Sequence, residues 1–283
     1  MQLSICSYSF HRLLAEGKCD IFRYIADCRE LGCTQLDPWS AHLAPVLASV
    51  DELKKSGPDP AKVKLSDADR QYLGKVKAAG DAVRLPFGCI AVDGAHIYEP
   101  TEQARRANRA AAYYWLAALA ELRGTQIRID AGGPPEMPPE AFAEIVKGYE
   151  DLTRRAASLG IGVLIENHWG PSNNPDNLVR ILKAVPALGL LFDTNNWAKG
   201  RQEEGWTKCA AFARATHVKT FSFDPQGLEP SVDIPKVMRM LIGAGFNGCW
   251  GIESCPKELD EYEGVRKTIA LMRKVLGGAC GCG

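Results

Sequence analysis

The sequence has no long apolar segment. Nowhere in its 283 residues is there a stretch close to the ~18 apolar residues that a membrane-spanning helix needs. Residues 1–8 show no basic segment followed by an apolar one, and they fit a β-strand. We therefore expect a cytoplasmic protein that has no signal peptide and does not associate with a membrane.

The sequence also has no excess of charge of either sign. Its 34 lysines and arginines balance 34 aspartates and glutamates, which gives a formal net charge of +0. A neutral chain has no field that would hold nucleic acid or an anionic membrane non-specifically. We expect no nucleic-acid partner.

Cysteine is plentiful, with ten residues scattered through predicted strands and helices. Scattered thiols in a large chain without an export signal indicate reduced, partly buried side chains rather than a disulfide scaffold. The Gly- and Cys-rich end, residues 277–283, is predicted to be a flexible tail. Oxidation or metal capture by its two thiols is the alternative.

Short apolar runs alternate with longer helical patterns along the whole chain, which indicates a parallel sheet built from βα units. No Gly-x-Gly-x-x-Gly follows the first run, so an open dinucleotide-binding sheet is disfavoured. Residues 1–276 are predicted to form one α/β domain, a (β/α)8 TIM barrel. The long connection Ser40 to Leu73 is interpreted as a βα excursion, with a lid over the site as one possibility. The eight predicted strands are Gln2–Tyr8, Thr34–Pro38, Ala82–Val92, Thr125–Ala131, Gly162–Asn167, Gly189–Asp193, His217–Phe223 and Cys249–Ser254. The predicted helical segments are Ile21–Leu31, Leu43–Ala79, Thr101–Leu122, Pro139–Leu159, Pro175–Val185, Glu203–Ala213, Ile234–Ala244 and Leu259–Leu276.

Ionisable residues stand at the ends of the last four predicted strands, where the active site of such a barrel lies. Glu166, Asp193, His217 and Glu253 each follow or interrupt an apolar run. Any one of them could be a buried ion pair or a strand-end cap. Their separations of 27, 24 and 36 residues are each close to one βα unit, so the four should converge. Three ionised carboxylates need a cation there, and oxygen ligands with one imidazole suit Mn²⁺, our first choice, or Mg²⁺, Co²⁺ or Zn²⁺.

Further polar side chains are candidates for substrate binding. Strand alternation places His168, Lys219 and Asn195 beside the predicted ligands. His168 either hydrogen-bonds the substrate or supports a ligand, and Lys219 either neutralises an oxyanion or pairs with a carboxylate. Arg128 either reaches the mouth or fills the barrel interior. Residues after the first two strands either line the pocket or pack in loops: Tyr8, His11, Trp39 and His42.

The motif series Ile-Glu166-Asn-His, Phe-Asp193-Thr-Asn-Asn, His217-Val-Lys and Gly-Ile-Glu253-Ser resembles the sugar phosphate isomerase/epimerase superfamily, the xylose isomerase-like barrels. The resemblance covers essentially the whole chain in strand order, and its specific part runs from the fifth strand to the eighth. It implies that the four residues bind one divalent metal and that both glutamates are catalytic and also move protons. The extra His and Asp ligands of a trinuclear-zinc endonuclease and a clear phosphate loop are missing, so a phosphorylated substrate is not predicted.

The resemblance and the site chemistry imply an enzyme that forms a metal-stabilised enediolate from a ketose or related keto-polyol. Epimerisation or isomerisation is the first hypothesis. A lyase acting on a keto-inositol, keto-sugar or glycoside is the second, because loss of a β-hydroxyl can follow from the same intermediate. A non-catalytic sugar-binding barrel or partner subunit is the third, and three converging carboxylates argue against it. Members of the resembling family commonly associate, so a homo-oligomer is also expected.

Overall fold

Seven parallel strands form one curled sheet in the computed structural model, which describes residues 1–57 and 59–279. Within these residues the hydrogen-bonded order is β1-β7-β6-β5-β4-β3-β2. The strands are β1 Leu3–Ile5, β2 Cys89–Val92, β3 Gln126–Ile129, β4 Gly162–Glu166, β5 Leu188–Asp193, β6 Ala213–Thr220 and β7 Trp250–Ser254.

Helices connect these strands and cover the sheet from outside, as βα units require. The α-helices are α1 His11–Ala15, α2 Ile21–Glu30, α3 Ala44–Lys55, α4 Asp67–Ala82, α5 Glu102–Glu121, α6 Pro139–Ala157, α7 Pro175–Ala184, α8 Gln202–Cys209, α9 Ile234–Gly243 and α10 Glu261–Ala279. Short 3₁₀ helices lie at Ser7–Phe10, Ser40–Leu43, Pro60–Lys62, Gly170–Asn173 and Ala210–Phe212. The prediction of a TIM barrel is confirmed in its architecture.

The predicted strand Thr34–Pro38 is present only as isolated bridges between β1 and β2. Asp37 pairs with Cys6, and Leu36 pairs with Phe87, so the segment closes the ring without forming a regular ladder. The reason is the Tyr24 hydroxyl, which accepts a hydrogen bond from Asp37 N (2.8 Å) and donates one to Ile5 O (2.7 Å). A side chain of α2 thus stands where direct strand pairing would lie.

Two faces of the sheet carry separate cores because strand side chains alternate. Ile165, Phe192, Val218 and Ile252 belong to the large cluster between sheet and helices. A small cluster fills the barrel interior and consists of Cys89, Leu164, Leu191 and Ala215. The last three stand two residues before Glu166, Asp193 and His217, so the alternation also turns these polar side chains inward.

Several predicted boundaries are wrong because helices take over the strand ends. The first strand ends at Ile5, since Ser7–Phe10 forms a 3₁₀ helix. The strand predicted from Ala82 begins only at Cys89, because α4 continues to Ala82. Conversely, β6 begins at Ala213, within the predicted helix Glu203–Ala213.

The long connection after Trp39 is part of the helical layer. It forms α3 and α4, which pack against α5 and α2. At the other end, α10 continues to Ala279, so residues 277–279 of the predicted flexible tail are helical. Residues 280–283 lie outside the described residues. No helix in the described part of the chain is long and apolar enough to cross a membrane.

Replacing Tyr24 by Phe should destabilise the fold. The change removes the hydroxyl that serves two buried backbone groups, Ile5 O and Asp37 N, and leaves both without that partner. An unsatisfied buried group costs about 1–3 kcal/mol, so the free energy of unfolding should fall by about 1 kcal/mol or more. Urea denaturation measures it. The control Tyr113→Phe removes a partly exposed hydroxyl bonded to Asp151 and should change stability by no more than ~0.5 kcal/mol. Equal effects in both variants would contradict this account of Tyr24.

Candidate metal centre

Four buried side chains converge at the carboxyl ends of the last four strands. Glu166 ends β4, Asp193 ends β5, His217 lies in β6 and Glu253 lies in β7. One ligand atom from each lies within 4.8 Å of one from every other. The structure therefore brings together the four residues that the sequence predicts as metal ligands.

Strand register sets this convergence. Asp193 and His217 are direct partners across β5 and β6, and Glu253 is the partner of Lys219 across β6 and β7. Asn167, the residue after Glu166, fixes the end of β4 to β5: its amide nitrogen donates to Asp193 O, and its amide oxygen accepts from Asp193 N, each over 2.9 Å. The ligand-bearing ends of the two strands are thereby held together.

The imidazole of His217 lies between two carboxylates. Its Nδ1 is 3.1 Å from Glu166 Oε1 and 2.9 Å from Glu253 Oε2. Burial would lower the pKa of His217, but Glu166 and Cys6 raise it well above its usual value. Without another cation, this histidine is thus held protonated by the carboxylates around it.

Lys219 supplies a second positive charge from β6. Its Nζ is 2.8 Å from Glu253 Oε1 and 3.7 Å from Asp193 Oδ2. Burial alone would raise the pKa of Glu253, yet Lys219 and His217 hold it well below its usual value. Lys219 is therefore paired with carboxylates, which is one of the two roles that the sequence leaves open.

Asp193 is the carboxylate least compensated by nearby charges. Burial raises its pKa to about 6, and Lys219 only partly opposes this effect. Its Oδ1 accepts from the backbone N–H groups of Asn195 (2.6 Å) and Asn196 (3.0 Å). Its Oδ2 is buried and, within the described residues, has no hydrogen-bond partner. A buried lone pair facing the cluster is what a cation would use.

A divalent cation fits the charge of the site as well as its geometry. Among the described residues, the two overlapping ligand groups at this end of the barrel contain four buried carboxylates, those of Asp130, Glu166, Asp193 and Glu253. Arg128 and Lys219 offset two of the negative charges. One divalent cation offsets the other two, so His217 can bind it as a neutral imidazole. Carboxylate oxygens with an imidazole nitrogen are ligands that Mn²⁺, Mg²⁺, Co²⁺ and Zn²⁺ accept.

Asp130 is a site residue that the sequence reasoning missed. It follows β3 directly, and its Oδ2 lies 3.2 Å from His168 Nδ1 and 3.0 Å from Arg128 Nη1. The rule that ionisable residues at strand ends mark the site would have found it, and Asp93 after β2 as well. Asp130, Glu166 and His168 form a second group whose ligand atoms lie within 4.8 Å of one another.

Arg128 lies at the mouth, but its guanidinium is occupied by the protein. Nη1 donates to Val92 O and to Asp93 Oδ1, each over 2.9 Å, and the side chain is 5% exposed. His168 is more accessible, with 31% of its side chain exposed. Between its two predicted roles, His168 is thus placed where it can face a substrate.

The remaining residues predicted to bind substrate differ in how close they lie to the mouth of the barrel. Trp39 Nε1 donates to Asp93 Oδ2 (2.7 Å), which places it beside Arg128. His11 stacks on Tyr8, with ring centroids 4.6 Å apart. His42 is buried against Ser7 and its pKa falls to about 4 through burial, so of its two predicted roles it takes the packing one. Asn195 is half-buried next to Asp193, and its side-chain oxygen accepts from Gln202 Nε2 (3.3 Å).

The fold is a parallel α/β barrel, and a buried cluster of carboxylates with one imidazole lies at its strand ends. These two features define the class of protein to which the chain belongs. The chain belongs to the xylose isomerase-like TIM barrel family, whose model matches residues 25–275. The resemblance seen in the sequence is confirmed. No curated protein sequence matches the chain.

Solved structures with the same fold cover nearly the whole chain. IOLI protein with a bound zinc atom has a TM-score of 0.73 at 13% identity, covering 98% of this chain and 99% of that one. D-Psicose 3-epimerase from Clostridium cellulolyticum H10 gives 0.72 at 13%, with coverage of 98% and 99%. The probable 3-DHS dehydratase AsbF from Bacillus anthracis gives 0.68 at 13%, with coverage of 96% and 99%. At these identities the likeness establishes the fold.

Removing metal should lower the thermal midpoint of the protein. A cation bound only by the folded state stabilises that state, so chelation should shift the midpoint down and added Mn²⁺ should restore it. Asp193→Ala should lower the metal content, recovering part of it at high metal concentration. The control Asp176→Ala removes an exposed carboxylate paired with Arg201 and should leave the metal content unchanged. Elemental analysis and thermal melts measure both effects, and an unchanged midpoint after complete chelation would contradict the assignment.

Proposed function

We propose that the protein is a divalent-metal-dependent isomerase or epimerase that acts on a ketose or related keto-polyol through an enediolate. The convergence of two buried glutamates, Glu166 and Glu253, on one cation position carries this proposal. The glutamates come from β4 and β7, with β5 and β6 between them, so they approach the position from different sides. Two carboxylates placed in this way suit removal of a proton on one face and its return on another.

A divalent cation held by Glu166, Asp193, His217 and Glu253 would polarise a carbonyl and stabilise negative charge that develops on its oxygen. The chain's own groups then perform the proton transfers. Glu166 Oε1 and Glu253 Oε2 both face His217, and either can act as the general base. Burial would raise the pKa of Glu166, but the charges of His217 and Arg128 lower it to about 2, so the carboxylate is ionised at neutral pH.

The mouth supports a small polar substrate with an apolar face. Trp169 is 48% exposed, and its ring meets that of His96 edge-on at 4.6 Å. Trp39 contacts Tyr8 edge-on, with ring centroids 5.0 Å apart. Aromatic rings with polar partners suit the C–H and hydroxyl groups of a sugar or polyol. Epimerases among the solved structures of this fold act on such compounds by their names, D-psicose 3-epimerase being one.

A lyase that dehydrates a keto-inositol, keto-sugar or glycoside is the second candidate, and the contact between His168 and Asp130 favours it. Loss of a β-hydroxyl needs an acid that protonates the leaving oxygen. Burial would lower the pKa of His168, but its hydrogen bond to Asp130 and the nearby charge of Glu166 raise it. The site therefore holds a proton donor besides its two glutamates. AsbF, named as a probable dehydratase, shares the fold.

Replacing either Glu166 or Glu253 by Gln should remove catalysis while sparing metal binding. Gln keeps an oxygen ligand of similar size but cannot take up a proton. Turnover should fall by ~10²-fold or more, the range that general-base catalysis contributes, and much of the metal should remain. For an epimerase, each variant should still exchange one substrate proton with solvent deuterium, on opposite faces. Assays on ketoses and inososes in deuterium oxide, with mass spectrometry and NMR, measure this.

The control for these variants is Glu203→Gln, which alters an exposed carboxylate paired with Lys236 and should keep full turnover. Near-normal turnover in both site variants with metal bound would exclude the two-base mechanism. It would leave His168 or Lys219 as the proton carrier.

Replacing His168 by Gln separates the two candidate reactions. If the enzyme is a lyase, dehydration should fall by ~10²-fold because the leaving hydroxyl loses its proton donor, while exchange of the substrate C–H with solvent continues. Metal content should not change. The control His96→Gln alters another histidine at the mouth, one that contacts Trp169. Full dehydration activity in His168→Gln would refute the role of His168 as the proton donor. If only epimerised products form from a panel of substrates, the lyase hypothesis itself is refuted.

A further inference from the structure

Two groups of potential metal ligands share Glu166. The first is the cluster of Glu166, Asp193, His217 and Glu253, and the second consists of Asp130, Glu166 and His168. Each group has its ligand atoms within 4.8 Å of one another. A carboxylate common to two neighbouring ligand groups is the arrangement from which a pair of bridged metal ions is built.

The two oxygens of Glu166 are divided between these groups. Oε1 lies 3.1 Å from His217 Nδ1, within the first group. Oε2 points the other way and lies 3.0 Å from Arg128 Nε. Because the two oxygens face different positive groups, the Glu166 carboxylate already has the orientation of a bridging ligand.

Arg128 supplies the positive charge that pairs with the carboxylates of the second group. Its guanidinium is 3.0 Å from Asp130 Oδ2 through Nη1 and 3.0 Å from Glu166 Oε2 through Nε. The side chain is also fixed from behind, since Nη1 donates to Val92 O and to Asp93 Oδ1. Arginine keeps its charge at every accessible pH, so this cation is permanent.

The hydrogen bonding of the second group is incomplete in spite of the guanidinium. Asp130 Oδ1 and Glu166 Oε2 are buried, and neither has a hydrogen-bond partner among the described residues. Arg128 Nε is also without one, so its 3.0 Å approach to Glu166 is an ion pair that lacks the alignment of a hydrogen bond. Arg128 therefore balances the charge of this group but leaves oxygen lone pairs that a metal ion could use.

We propose that Arg128 restricts the centre to one metal ion by occupying the position that a second divalent cation would take. Loss of its guanidinium would open a second site made of Asp130, His168 and the outer oxygen of Glu166. Two carboxylate oxygens and an imidazole nitrogen suit Mn²⁺, Co²⁺ or Zn²⁺. The additional positive charge would be balanced by Asp93, which Arg128 now holds. The inference rests on the proposed function in one respect, that the first group binds one metal.

The test measures metal bound per chain in the wild type and in Arg128→Met, each loaded with excess Mn²⁺ and then desalted. We expect about one Mn²⁺ in the wild type and about two in Arg128→Met. Exchange coupling through Glu166 should broaden the low-temperature EPR spectrum of the variant relative to the isolated ion of the wild type. Both readouts are independent of catalytic activity.

Two matched variants locate the additional ion. Arg128→Lys keeps a positive charge in the second group and should bind about one Mn²⁺. Arg128→Met combined with Asp130→Asn keeps the opened space but removes a ligand, and it should also return to about one. Two ions in Arg128→Lys, or two in the double variant, would overturn the assignment of the second site.

The outcomes separate this inference from the proposed function. No bound Mn²⁺ in the wild type would refute the proposed metal centre itself. One ion in both wild type and Arg128→Met, or two in both, would overturn the role of Arg128 and leave the first site intact. If Arg128→Met folds only with Mn²⁺ present, the stoichiometry of that refolded protein decides. If it does not fold even then, the proposal fails, because a bound cation should replace the lost charge.

Discussion

Negative charge buried at the carboxyl end of the barrel is the constraint on which the site depends. Period-two alternation turns the last inward residue of each strand toward one point, and in β4, β5 and β7 that residue is a carboxylate. Buried carboxylates are stable only when cations compensate them. Lys219 contacts Asp193 and Glu253, and Arg128 contacts Glu166 and Asp130, so both cations balance the buried charge as well as being candidates for chemistry.

The sequence predicts those features that follow from periodicity alone. The strand ends bearing Glu166 and Asp193 are found because apolar runs stop there and the spacing repeats. The irregular closure at Thr34–Pro38 is not predictable in this way, because it depends on a hydroxyl that arrives from α2. Asp130 directly follows β3, so the strand-end rule could have found it, whereas its contact with His168 joins residues 38 positions apart and no local pattern records it.

The pKa values of the two glutamates affect how well each carboxylate can remove a proton from a substrate. Glu166 and Glu253 have lowered pKa values because cations offset the effect of burial. Low pKa values keep both ionised, which a base requires, but they also make the carboxylates weak bases. A C–H next to a carbonyl is a poor acid unless charge on the oxygen is stabilised. In the proposed reaction, the positive charges that weaken the two bases would also stabilise the enediolate, so one set of charges would have both effects.

The wall of the mouth and the buried cluster are connected through one chain of polar contacts. Trp39 donates to one oxygen of Asp93, and Arg128 donates to the other. The guanidinium of Arg128 then reaches Glu166, whose second oxygen faces His217. The Trp39 indole and the Glu166 carboxylate, a candidate base, are thus both linked to Arg128. Because each link is a charged or hydrogen-bonded pair, the positions of both side chains depend on this arginine.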